Sequence, residues 1–203
     1  MYDVRASSLE IQTRLVGFGL SPMVQQRLGA FAIVWGLFET NLETTLWALR
    51  QENVKGERPS TDSKSISDWI KELDANWPQL PTGARPIMAD ASHAAFDLMD
   101  YRHAIFHGTM VPLGGDPVFI RNPLWNGEKR KRITHDAHID ENLLDLAIDT
   151  GWTLFRLMRT TAKACEDVTK VAEVLAFAVP VRRARGHANE LRHLTALMND
   201  DKY

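Results

Sequence analysis

The sequence predicts an all-α fold, a helical bundle with one small β-hairpin inserted before its last long helix. Three observations predict it. Apolar residues recur at steps of three and four over three long stretches, the period of a helix with one buried face. Strand-like sequence is confined to the region between Thr109 and Thr134. Helix punctuation falls at the edges of the periodic stretches, with Ser21-Pro22 before the first and Gly108 after the second.

The first long helix is expected to start at Pro22, with Ser21 as its N-cap, and to fade near Asn53. Its stripe is Val24, Leu28, Phe31, Trp35, Phe38, Leu42 and Leu49, with Leu46 alongside. So many aromatic residues on one stripe hint that a second protomer shares it. The polar run Lys55–Ser63 follows. Ser63 or Ser65 then opens a shorter helix through Ile66, Trp69, Ile70 and Leu73, which ends before Trp77-Pro78. A third helix is expected from about Arg85 to His107, buried through Ile87, Ala91, Ala94, Leu98, Tyr101 and Ile105, with Gly108 as its cap.

Thr109–Leu113 and Val118–Arg121 flank Gly114-Gly115-Asp116-Pro117, and Asn126-Gly127 is a turn dipeptide before Glu128–Thr134. These read as two or three short strands. A long helix follows from about Asp140 to Cys165, then a shorter piece over Val168–Ala178. Residues 1–180 are expected to form one domain, and 181–203 an Arg/His-rich helical tail.

Composition narrows the function classes. With 44% apolar and 25% charged residues the chain resembles an ordinary globular protein, so bulk disorder is not expected. A net charge of −2 offers no general attraction to phosphate, so any nucleic-acid contact must be local. The lone Cys165 excludes an internal disulfide and reads as a small core residue. Asp3 and Glu10 are out of place in a signal peptide, and no apolar run is long enough to span a bilayer. The cytoplasm is the expected compartment, with no membrane partner. The six tryptophans are expected mostly in the core. Walker, GxGxxG, HExxH, CxxC and GxSxG motifs are absent.

What remains is Tyr101–Gly108 (YRHAIFHG), which carries Arg102, His103 and His107 at the end of a helix with a buried face. An imidazole exchanges protons near neutral pH, and an arginine holds phosphate oxygens in a bidentate grip. His103 and His107, four residues apart, share a face. Arg102 and His107 lie about 140° apart around an ideal helix. Their convergence is therefore expected to require local unwinding or a second protomer. The partial negative charge at the helix end favours imidazolium at His107, which suits an acid. Structural readings stand beside these. Arg102 would pair with Asp97, Asp100 or Glu39, and His107 with the last carbonyls of its helix. His103 and His107 with Asp100 would make an incomplete metal site, and no metal is assigned.

The pattern Arg–polar–three residues–His–Gly resembles the signature of HEPN (higher eukaryotes and prokaryotes nucleotide-binding) domains. There the commonest form has asparagine where this chain has His103. The order of elements over roughly residues 22–165 is similar too: a long helix with Trp35, Phe38, Glu39 and Leu42, a polar loop, the motif helix, a hairpin and another long helix. The resemblance implies a metal-independent endoribonuclease without cofactor. It implies RNA as substrate, a homodimer whose two motifs face one cleft, and a toxin or antiviral defence effector with an antitoxin or regulatory protein as partner. It assigns phosphate binding to Arg102, proton transfer to His107, and substrate orientation or a second proton transfer to His103. Glu39 would position Arg102. Arg121, Arg130 and Arg132, in or near the EKRKR run, would track an RNA backbone, or else form a charged strand edge that blocks aggregation. The alternative function is a non-catalytic module of the same type that binds RNA, nucleotide or a protein partner.

Overall fold

The computed structural model describes residues 2–113, 116–121, 127 and 136–200, with 112, 113, 116 and 196–200 by backbone alone. Among these residues it is mostly α-helical, with seven helices and one small antiparallel sheet.

Helix α1 (Val4–Gly17) is capped by Asp3, whose carboxylate accepts the backbone N–H groups of Arg5 and Ala6, and it carries a Glu10–Arg14 pair at 2.6 Å. None of its residues is buried. Sequence reading passed over it because it has no apolar stripe.

Helix α2 (Pro22–Arg50) starts where the Ser-Pro pair predicts, with the Ser21 hydroxyl accepting from Val24. Its expected stripe is buried along the whole length, Leu28 partly so. Phe31, Trp35 and Phe38 lie wholly inside the protomer, so the aromatic stripe does not serve a second copy. The helix ends earlier than expected, at Gln51, which adopts the left-handed region at φ 54°. Helix α3 (Ile66–Glu72) opens with a capping box between Ser65 and Asp68, and Ser92 of the next helix holds it by donating 2.8 Å to the Ile70 carbonyl.

Helix α4 (Arg85–His107) has the predicted bounds. Strands β1 (Thr109–Leu113) and β2 (Asp116–Ile120) form the expected hairpin, with Met110 opposite Phe119 and Val111 opposite Val118. The third strand expected over Glu128–Thr134 lies outside the described residues; β3 (Ala137–His138) completes the sheet on the far side of β2. Helix α5 (Glu141–Glu166) is capped by Asp140, and the short α6 (Val171–Leu175) follows.

Helix α7 (Ala178–Asp200) corrects two expectations. The hairpin does not precede the last long helix, because α7 comes after α5. Nor is there a break at residue 180. Pro180 sits in the first turn of α7, where a missing N–H costs nothing, and Val181, Ala184, Ala188 and Leu191 are fully buried. The tail is a core helix.

Four long helices thus make the bundle. α2 and α5 run in the same direction, joined by Arg27–Asp145 at one end and by the Thr45 hydroxyl on the Met158 carbonyl at the other. α4 and α7 also run together, through Asp90–Arg185 and Asp97–Arg192. α5 packs on both α2 and α7. No helix among the described residues is long and apolar enough to cross a membrane.

Candidate active site at the end of helix α4

Three contacts fix the end of α4. Tyr101 is buried, and its hydroxyl donates to the His138 carbonyl in β3 at 3.1 Å. The Phe31 ring of α2 lies 6.2 Å from the rings of both Tyr101 and Phe106. Gly108 closes the helix in an extended conformation at φ −83°. A β-carbon there would stand 2.3 Å from the Ala104 carbonyl oxygen and 3.1 Å from Phe119 Cβ. The glycine is thus needed for close approach to the sheet, whereas the cap motif expected from sequence would need it for a left-handed turn.

On this frame the motif side chains meet within one protomer. Arg102 Nη1 lies 3.2 Å from His107 Nε2. The helix stays regular through His107, so neither unwinding nor a partner copy is needed, contrary to the expectation from ideal helical angles. The reason is reach. Arg102 lies over the ring of Phe106, four residues on, with Cζ 5.3 Å from its centroid, and the guanidinium extends past that ring to His107. Phe106 was not singled out by sequence. Its signal was its place one turn beyond the arginine.

Arginine can only donate hydrogen bonds, so a hydrogen bond between the two has Nε2 of His107 as its acceptor and belongs to the tautomer with the ring proton on Nδ1.

The His103 ring lies 5.6 Å from that of His107. His103 is half-buried, and burial holds its proton affinity below the ordinary histidine range. The charges of Arg102 and Arg121 add to the effect, as does His107 when it is protonated. Arg121 thus lies close enough to act on the site. It follows β2, where its backbone N–H donates 2.8 Å to the buried Asp136 carboxylate. Arg130 and Arg132, with the rest of the EKRKR run, lie outside the described residues.

Glu39 is half-buried on α2 and forms no hydrogen bond or ion pair with Arg102 or any other described residue. Asp97 pairs with Arg192 of α7 at 3.3 Å, away from the motif. No three His, Cys, Asp or Glu side chains come together as a metal site among the described residues. Cys165 is half-buried, and burial beside Glu166 pushes its thiol up, away from nucleophilic use. Three of the tryptophans, Trp47, Trp69 and Trp77, are half-buried with bonded indole N–H groups, and Trp35 is in the core. Trp152 departs from expectation, with 45% of its surface exposed.

The chain matches no family model, no curated protein and no solved structure.

Proposed function

We propose that this protein is a metal-independent endoribonuclease of HEPN type, acting as a toxin or defence effector. The observation that carries the reading is the contact of Arg102 with His107, with His103 beside it, at an open helix end. A neutral His107 takes the proton from a ribose 2′-OH. The 2′-oxygen then attacks the adjacent phosphorus, and the P–O5′ bond breaks. Arg102 turns from His107 to the phosphate and balances its growing charge. His107, now an imidazolium, gives that proton up to the departing 5′-oxygen, and neutral His103 relays it, accepting at one ring nitrogen and donating from the other. Arg121, whose charge acts on His103, holds the strand on the sheet side in this reading.

The working unit in this reading is a homodimer, and α2 offers the face for it. Gly29, Ala32, Ile33, Gly36 and Leu37 are exposed in succession, Ile33 by 67%, and no described residue stands over the two glycines. A face of small and apolar residues lets a second helix approach closely. Phe106, 42% exposed and packed on Phe31 of α2, carries an apolar surface to the motif.

Incubation of the purified protein with total RNA in excess chelator tests the chemistry. Cleavage that leaves 2′,3′-cyclic phosphate and 5′-hydroxyl ends is expected. Activity that stops with chelator, or products ending in 3′-hydroxyl, would rule the mechanism out. No cleavage under any condition, with RNA or a protein still bound by the motif face, would replace it with a binding module.

A further inference from the structure

Trp152 heads a row on the outer face of α5. Arg156, Arg159 and Lys163 follow at steps of four, three and four, and all four side chains are exposed. Two adjoining cavities, about 370 Å³ and about 210 Å³, open along this row and share Trp152 and Arg156 as walls. Phe177 forms the opposite side of the larger one, with the Arg156 guanidinium 5.7 Å over its ring.

The charges of the groove are unbalanced in one direction. Its two carboxylates are already engaged: Asp149 with Arg183 at 3.2 Å, and Glu173 with Lys170 at 2.9 Å. Arg156, Arg159 and Lys163 form no ion pair among the described residues. Three free cations in line stand out on a chain whose net charge is −2. Cations that converge suit a single phosphate, whereas one cation per helical turn suits a chain of them. The exposed indole at the head of the row, packed at a 49° tilt against Phe155 with 5.0 Å between ring centres, adds a flat apolar face of the kind on which a base stacks.

We infer that the groove between α5 and the α6–α7 corner binds a single-stranded polynucleotide, its backbone along Arg156, Arg159 and Lys163 and a base on Trp152. The groove is separate from the motif. Tyr101 ties the motif to His138, just before α5 begins, while the groove lies along the second half of α5. That the strand is RNA rests on the function proposed above; the groove itself does not.

Binding is measured by fluorescence anisotropy with a short labelled oligouridylate and the full chain carrying His107→Ala, which removes the proposed cleavage. Trp152→Ala and the pair Arg159→Glu with Lys163→Glu are each expected to weaken binding about tenfold or more. The charge-reversed pair should also flatten the salt dependence by about 1.4 in log–log slope, the share of two single-strand phosphate contacts. Both sites are on the surface, so unchanged circular dichroism is expected of the variants. Unchanged affinity in the charge-reversed pair would overturn the inference, as would equal competition by uridine monophosphate or by an acidic peptide. Binding lost in these variants, with no RNA cut by the parent protein that keeps His107, would sustain the groove and overturn the ribonuclease.

Discussion

His103 and His107 occupy one helix face but different surroundings, and the difference has a measurable consequence. His107 is exposed, whereas His103 is half-buried and held below the ordinary histidine range by burial and by three neighbouring cationic or titratable groups. The unfolded chain therefore binds the His103 proton more readily than the folded one. Stability from this group is full above about pH 6.5 and is lost as pH falls through the folded value. His103→Asn removes that dependence. Thermal unfolding followed from about pH 7.5 to about pH 5 should show a smaller drop in Tm for the variant than for the parent. An equal drop would show that His103 is not the group responsible. At this scale the sequence pointed to the side chains of the motif and not to how they meet. Arg102, His103 and His107 were legible from residue type and spacing. The Arg102–His107 contact was not, because an angle around a helix axis ignores the length of an arginine and the ring of Phe106 beneath it.

Among the elements, α2 and α5 approach closely at Gly151. A β-carbon on Gly151 would stand 2.7 Å from Val34 Cγ1, closer than side chains pack. Gly151→Ala should therefore cost about 1–3 kcal/mol by pushing the two helices apart. Adding Val34→Ala should recover part of the loss, because the clashing methyl is then gone. Denaturant unfolding of the two single variants and the double variant measures this. A double variant no better than the sum of the singles would place the strain elsewhere. The helices themselves were readable where large apolar side chains mark the buried face, as in α2, α4 and α5. α1 was invisible because its helix is held by a cap and one ion pair, with no buried stripe to show a period. α7 was undervalued because alanines fill its buried face. Ala184 and Ala188 pack as firmly against α4 and α5 as leucines do elsewhere, but they give little contrast against a run of arginines.

At the scale of the whole molecule, the protomer keeps its aromatic stripe for itself and leaves a smoother apolar face, with Ile33 and Leu37, open on α2. The proposed homodimer predicts that light scattering will find the mass of two chains for the parent protein. Ile33→Glu would bury a charge in that interface and should give monomers with an unchanged Tm at low concentration. A parent that is monomeric at every concentration would remove the two-motif cleft, though a single motif with its Arg102–His107 contact could still be tested alone.

That contact is the centre of the account, and the rate of RNA cleavage by His107→Ala beside the parent, in chelator and with matched circular dichroism, tests it most directly. The proton-transfer role predicts a loss of about 10²- to 10⁴-fold, since that is what a positioned acid or base contributes. Cleavage by the variant at the parental rate would contradict it and place the chemistry away from the end of α4.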